Sequence, residues 1–309
     1  MGVACKAIRA FPSCMAVVTF AVLISVVWTV IWAFSVAGVA EAMAQGSDDD
    51  STALSGGVLF LLLISFYWGG MVISNLAHVT VSGAVAEWWF VSPSALALDS
   101  RSSTVVGRAL CRALSSSFGS ICLGSFIVAF LASMRALLRS MHKANRILAC
   151  CVDCFLAVIE GWMMYVNRFA FVYIAIYGDD FMTAGRRVNG VFSNRGFWNT
   201  IVNDWVLSTV LSIGAFGIAV TTAAFAWALG AAILHKEEHA AAVAFAGFLC
   251  GGLIATATMG ALDSAVATVY VAFGEDPRIL KDNHPQAFHE LYDAWNTYYP
   301  EVITFVILA

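Results

Sequence analysis

The stretch Asn167-Arg168-Phe169-Ala170-Phe171-Val172-Tyr173-Ile174-Ala175-Ile176-Tyr177-Gly178-Asp179-Asp180-Phe181 decides how this chain is read. It carries an amide, a guanidinium and two tyrosine hydroxyls inside a run apolar enough to be buried, then stops at Gly-Asp-Asp. An ionisable group in low-dielectric surroundings is costly, so neighbouring segments must supply partners for Asn167 and Arg168. Gly178 is suited to end a helix, because a residue without Cβ takes the left-handed conformation at little cost.

The rest of the chain says what those surroundings are. Of its 309 residues 61% are hydrophobic and only 12% are charged, against roughly a quarter charged in soluble domains. Mean hydropathy is +0.82. Long apolar runs with such a balance imply an all-α, polytopic integral membrane bundle whose principal partner is the lipid bilayer. The net charge of -4 identifies no partner, because the acids gather at Asp48 to Asp50 and in the last thirty-five or so residues. No basic tract points to nucleic acid. The eight cysteines (Cys5, Cys14, Cys111, Cys122, Cys150, Cys151, Cys154, Cys250) lack the loop-borne spacing of a secreted disulfide framework and read as thiols.

Six apolar runs are expected to span. The first, from about Cys14 to Ala40, follows Lys6 and Arg9 and is too long for the apolar core of a signal peptide. A polar link, Gln45 to Thr52, separates it from Ala53–Ala86, which has no formal charge and exceeds the roughly twenty residues a bilayer requires. In that second run Asn75, His78 and Ser82 should face protein, and Trp88-Trp89 read as an interfacial belt. A basic connector with Arg101, Arg108 and Arg112 leads to Ala113–Met134, where Ser116, Ser120 and Gly124 form a small-residue stripe suited to close helix packing. The fourth run, Ile147–Tyr177, is broken by Asp153, Glu160 and Arg168, and reads either as a span or as an amphipathic helix at the surface. Trp205–Leu234 and Ala240–Phe273 complete the set, the latter apolar apart from Asp263. All five prolines fall outside the centres of these runs. The organisation is then a cytoplasmic N-terminus (1–13), a transmembrane domain (14–274) and a cytoplasmic tail (275–309), whose last segment, Glu301–Ala309, is too short to cross. With Lys6 and Arg9 inside, the Arg135–Arg146 run falls outside, against the usual bias of positive charge.

Four patches, in order, resemble the choline transporter-like family of membrane solute carriers, and most of all its fungal, plant and protist branch, which includes the yeast pH-nine-sensitive protein. They are Tyr67-Trp68 through His78-Val79-Thr80-Val81-Ser82-Gly83 to Trp88-Trp89-Phe90; Ser117-Phe118-Gly119-Ser120-Ile121-Cys122-Leu123-Gly124-Ser125; Asn167-Arg168-Phe169-Ala170-Phe171 to Ile174-Ala175-Ile176-Tyr177-Gly178; and Asp263-Ser264-Ala265-Val266-Ala267-Thr268-Val269-Tyr270-Val271 to Glu275-Asp276-Pro277. The resemblance implies movement of choline or a related organic cation by alternating access, at the plasma membrane and without a cofactor. Members of the family usually have ten or so spans, so the chain is expected to be N-terminally short for it.

A quaternary ammonium has no hydrogen to donate, so a site for it wants aromatic faces and a carboxylate. Tyr67, Trp68, Asn75, Tyr173, Tyr177 and Asp263 are the candidates for substrate contact, and His78, Glu160, Asn167 and Arg168 are read as structural polar groups in the membrane. For the aromatic residues the competing reading is packing or interfacial anchoring; for Asp263 it is a helix-end carboxylate paired with Arg168. The alternative function is a non-transporting membrane scaffold or subunit. Enzyme chemistry finds little support: no phosphate-cradling glycine loop is present, and no nucleophile, base and orienting acid assemble from their order. His235-x-x-Glu238-His239 has the letters of an inverted zinc-protease motif without a third ligand. The Cys151-x-x-Cys154 pair has no second pair for a metal, and lies where juxtamembrane acylation occurs.

Overall fold

The computed structural model describes residues 1–45, 49–98, 102–140, 146–194, 198–234 and 237–298. Every element among them is helical: α1 (Gly2–Ala10), α2 (Ser13–Gln45), α3 (Asp49–Phe90), α4 (Pro93–Leu98), α5 (Ser102–Leu114), α6 (Phe118–Ser140), α7 (Arg146–Tyr177), α8 (Phe181–Asn194), α9 (Trp198–Leu234), α10 (Glu237–Glu275), α11 (Pro277–Asn283) and α12 (Pro285–Tyr298). Six of these, α2, α3, α6, α7, α9 and α10, are long and apolar enough to cross a membrane. The shortest apolar stretch, Phe118–Arg139, has 22 residues, or about 33 Å at 1.5 Å per residue, enough for the hydrocarbon core. The protein is an all-α, multi-pass integral membrane bundle.

α3 is the central post, packed against α2, α5, α6, α7, α10 and α11. Its Gly69 admits the Trp28 indole of α2, which would lie 2.5 Å from a Cβ there. Trp28 and Trp32 donate their indole N–H groups to the Phe66 and Leu62 carbonyls of α3 at 3.3 and 2.8 Å. α9 packs chiefly on α10, where a Cβ on Gly251 would overlap the Thr222 side chain and one on Gly247 would come within 2.5 Å of the Ala226 Cβ. With no hydrophobic drive between helices in lipid, such close backbone approach supplies the packing energy. Large apolar side chains such as Phe34, Phe216, Phe225, Phe245 and Ile254 face outward, as a lipid solvent requires.

Because the spans alternate in direction, α1, α4, α5, α8, α11 and α12 fall at one end. This end carries Lys6, Arg9, Arg108, Arg112, Arg186, Arg187, Arg278 and Lys281. Lys6 reaches Glu290 of α12 at 2.7 Å. α7 stops there on Gly178, whose φ is +73°, and Asp180 starts α8 by accepting the Thr183 N–H at 3.1 Å. Hydrogen bonds from Thr183 hold the Asp180 carboxyl below the usual range.

The structure settles three expectations made from sequence. Residues 147–177 form a continuous helix within α7, and the charges that broke its apolar run are paired. Arg135 of α6 meets Asp153 at 3.1 Å and also Glu160, while Arg139 meets Asp153 at 3.3 Å. Two charges of the positive run that offends the inside rule, Arg135 and Arg139, are therefore paired with α7 carboxylates. Trp88 and Trp89 are not an interfacial belt: both are buried, Trp89 donating to the Asp276 carbonyl at 3.3 Å and Trp88 stacked on His284 with centroids 4.1 Å apart. The tail helices cover them. Ser116 lies in the turn before α6, so the small-residue stripe begins at Ser120. The segment Glu301–Ala309 lies outside the described residues.

Candidate functional site

A cavity of about 470 Å³ opens near mid-height of the bundle, lined by residues of α2, α3, α6, α7 and α10. Arg168 comes from the apolar second half of α7 and Asp263 from the middle of α10. The guanidinium Nη2 donates to Asp263 Oδ1 at 2.8 Å and to the Asp263 carbonyl at 3.1 Å. Ser208 of α9 joins both, receiving Arg168 Nη1 at 3.2 Å and donating to Asp263 Oδ1 at 3.1 Å. The compensation that the sequence demanded for Arg168 thus comes from two helices distant along the chain.

His78 of α3 ties the same groups together, its Nδ1 2.8 Å from Ser264 Oγ and its Nε2 3.0 Å from the Arg168 carbonyl. That carbonyl can only accept, so Nε2 carries hydrogen. Asn75, one helical turn before His78, donates to Ser125 of α6 at 2.9 Å. Asn167 donates to the Gly124 carbonyl at 2.7 Å; a Cβ on Gly124 would collide with Phe171 and Phe181. The Asn167 side-chain oxygen is buried without a hydrogen-bond partner among the described residues. Chemically, the cavity offers a carboxylate held by a guanidinium, a bordering amide whose oxygen is buried and, among the described residues, unpaired, and walls that include Met71, Met164, Val18 and Val22.

The structure divides the sequence candidates. Asn75 and Asp263 line this cavity, and so do His78, Asn167 and Arg168. The four aromatic residues do not. Trp68 donates to the Cys122 carbonyl at 3.0 Å and packs edge-on to Phe126, while Tyr67 packs on Phe66. Tyr173 and Tyr177 stack at the basic end, donating to Glu275 at 2.6 and 3.4 Å. Arg187, paired with Asp179 at 3.0 Å, covers the Tyr177 ring. Glu160 belongs to the Arg135 network. Ser208 was missed, and a single serine in an apolar helix gives no signal that could have found it. Ser25, Ser74, Thr256 and Ser264 line the cavity; Ser74, beside Asn75, and Ser264, beside Asp263, had a nearby polar marker. The side chains of His235, Glu238 and His239 lie outside the described residues. Cys150, Cys151 and Cys154 are exposed thiols in the first part of α7.

Comparison with known proteins shows the family. Protein PNS1 of Mycosarcoma maydis is 30% identical over 277 residues, covering 85% of this chain and 50% of that protein. A CTL-like protein of Dictyostelium discoideum is 27% identical over 292 residues, 93% of this chain and 50% of the relative. Protein PNS1 of Cryptococcus neoformans is 29% identical over 269 residues, 82% and 47% respectively. The chain spans about half the length of the curated relatives it matches. Residues 1–278 match the family model described as plasma-membrane choline transporter, a stretch containing all six spans and the whole mid-height cavity, and the chain belongs to that family.

Proposed function

We propose that the chain moves choline or a related organic cation across the plasma membrane by alternating exposure of the mid-height cavity. The observation that supports this reading is the placement of an ion pair, beside an amide with an unpaired oxygen, on one cavity among spanning helices, within family-matching segments. Polar groups at such depth cost free energy that a lipid-facing scaffold has no reason to spend. Asp263 is the group for the ammonium. An entering cation takes the place of the Arg168 guanidinium, which retains Ser208, and the Asn167 oxygen accepts the substrate hydroxyl. The Arg168–Asp263 contact is the latch between α7 and α10 that substrate exchange opens and closes. The basic end faces the cytoplasm, as positive charge favours, with residues 1–13 and the tail from 275 on that side. Radiolabelled choline uptake into cells lacking their own carrier tests the reading; a correctly inserted chain that adds no uptake defeats it.

One observation favours a second reading, a membrane scaffold that transports nothing. Arg168, Asp263 and Ser208 bond to one another, and among the described residues no Trp, Tyr or Phe ring lines the cavity. The two readings part on whether wild type shows uptake that is lost when both charges are removed.

A further inference from the structure

A second cavity, of about 610 Å³, lies at the basic end where α5 crosses the last turns of α3 beside the end of α7. Its walls are of two kinds. Ala86, Phe90 and Ile176 give an apolar side, and Arg108 and Arg112 of α5 give a cationic side. Glu87 takes up one of these charges by pairing with Arg108. Arg112 has no ion-pair partner among the described residues. Its position is fixed by Gly83: a Cβ there would stand 3.1 Å from the Ala109 Cβ and 3.6 Å from Arg112 Nη2. α5 therefore lies directly on the α3 backbone, and the guanidinium is laid along the cavity wall.

The depth of this cavity narrows what can fill it. α5 is amphipathic, burying Val105, Val106, Ala109 and Ala113 while Arg108 and Arg112 stay on its open side, as in a helix lying at a membrane surface. A ligand here meets a fixed positive charge at one end and hydrocarbon at the other. Guanidinium matches phosphate oxygens in geometry and charge, and basic pockets beside spanning helices on the cytoplasmic side suit anionic headgroups. We propose that this cavity binds an anionic phospholipid of the cytoplasmic leaflet, its phosphate on Arg112 and an acyl chain along Phe90 and Ile176. A choline-headed phospholipid is disfavoured, because its ammonium would approach Arg108 and Arg112. The proposal does not depend on whether the chain transports a solute.

The test is native mass spectrometry of the purified full chain, delipidated and titrated with phosphatidylglycerol or phosphatidylcholine. Wild type is expected to retain phosphatidylglycerol in preference. Arg112→Gln should weaken that retention about tenfold, the scale of one charge-assisted hydrogen bond, and Cys111→Phe, at an exposed position on the cavity wall, should weaken it comparably without removing charge. Arg186→Gln is the control, an exposed arginine at the same end but outside this cavity, and should leave retention unchanged; elution as a single monodisperse peak shows that each variant is folded. Equal retention of the two lipids overturns the proposal, as does an equal loss in Arg186→Gln, which would mark a diffuse basic surface. Displacement of the lipid by millimolar inorganic phosphate as readily as by phosphatidylglycerol overturns it in favour of a soluble anion.

Discussion

Arg168 holds Asp263 twice, through its carboxylate at 2.8 Å and its own backbone carbonyl at 3.1 Å. The contact joins α7 to α10 at mid-height, and removing one partner leaves the other charge in a membrane interior. Asp263→Asn should therefore destabilise the protein by about 2–4 kcal/mol, nearer the lower figure because the cavity partly solvates the carboxylate. The single variant does not separate a carrier from a scaffold, since both lose fold. The double variant Arg168→Met with Asp263→Leu should recover most of the stability, because hydrocarbon-like groups replace the pair. Thermal unfolding in detergent checks both. A carrier regains its fold in the double variant without regaining flux.

The Asn167 oxygen is a buried acceptor without a hydrogen-bond partner among the described residues, on a side chain that borders the same cavity. If it takes the choline hydroxyl, Asn167→Leu should erase about tenfold of the preference for choline over tetramethylammonium, which has no hydroxyl to lose. Competition of each cation against labelled choline measures this. An unchanged ratio in a folded variant removes Asn167 from the site.

Arg135 bridges Asp153 and Glu160, whereas Arg139 pairs, among the described residues, with Asp153 alone and is 58% exposed. Arg135→Met strands Glu160 and leaves Asp153 with Arg139 alone, and should lower the melting temperature by more than Arg139→Met does. Arg139→Met should cost under about 1 kcal/mol, the scale of an exposed pair. Equal melting temperatures for the two variants would show that the network does not hold α6 to α7.

How much of this was legible follows from the same network. The six spans came from run length alone, since a helix in lipid needs only continuity of apolar residues. The fourth was doubtful because Asp153 and Glu160 look wrong for a span until Arg135, on another helix, is seen beside them. Pairing across helices leaves no local trace. Asn75 and Asp263 share a cavity as depth along their helices predicts. Tyr173 and Tyr177 point instead to Glu275, because an aromatic ring's direction is set by packing that composition does not encode. The Trp88-Trp89 pair fails for the opposite reason: a belt signature holds only where no protein covers it, and α11 with His284 does.

His284 stacks on Trp88 and donates through Nε2 to its carbonyl at 3.1 Å. Burial lowers its pKa below the ordinary 6.5, with the Trp88 carbonyl opposing. An unfolded or undocked tail thus binds the proton more readily than the docked one. Docking should be at full strength above about pH 6.5 and weaken as pH falls through that value toward the lowered pKa. Hydrogen exchange of α11 and α12, corrected for intrinsic rates, should rise at pH 5.5 relative to pH 7.5. In His284→Gln that difference should vanish; its persistence would assign the effect to another group.

α9 is held to α10 by backbone proximity at Gly247 and Gly251. Gly251→Val has to displace Thr222 and should cost about 1–3 kcal/mol, read as a lower melting temperature. Gly217 of α9 has open space around it, and Gly217→Ala should be neutral or slightly stabilising.

The most direct measurement is saturable uptake of labelled choline into liposomes containing the purified full chain, comparing wild type with the folded double variant lacking Arg168 and Asp263. Uptake by wild type, lost in the double variant at equal insertion, is what the account predicts. Uptake by neither, or by both alike, contradicts it.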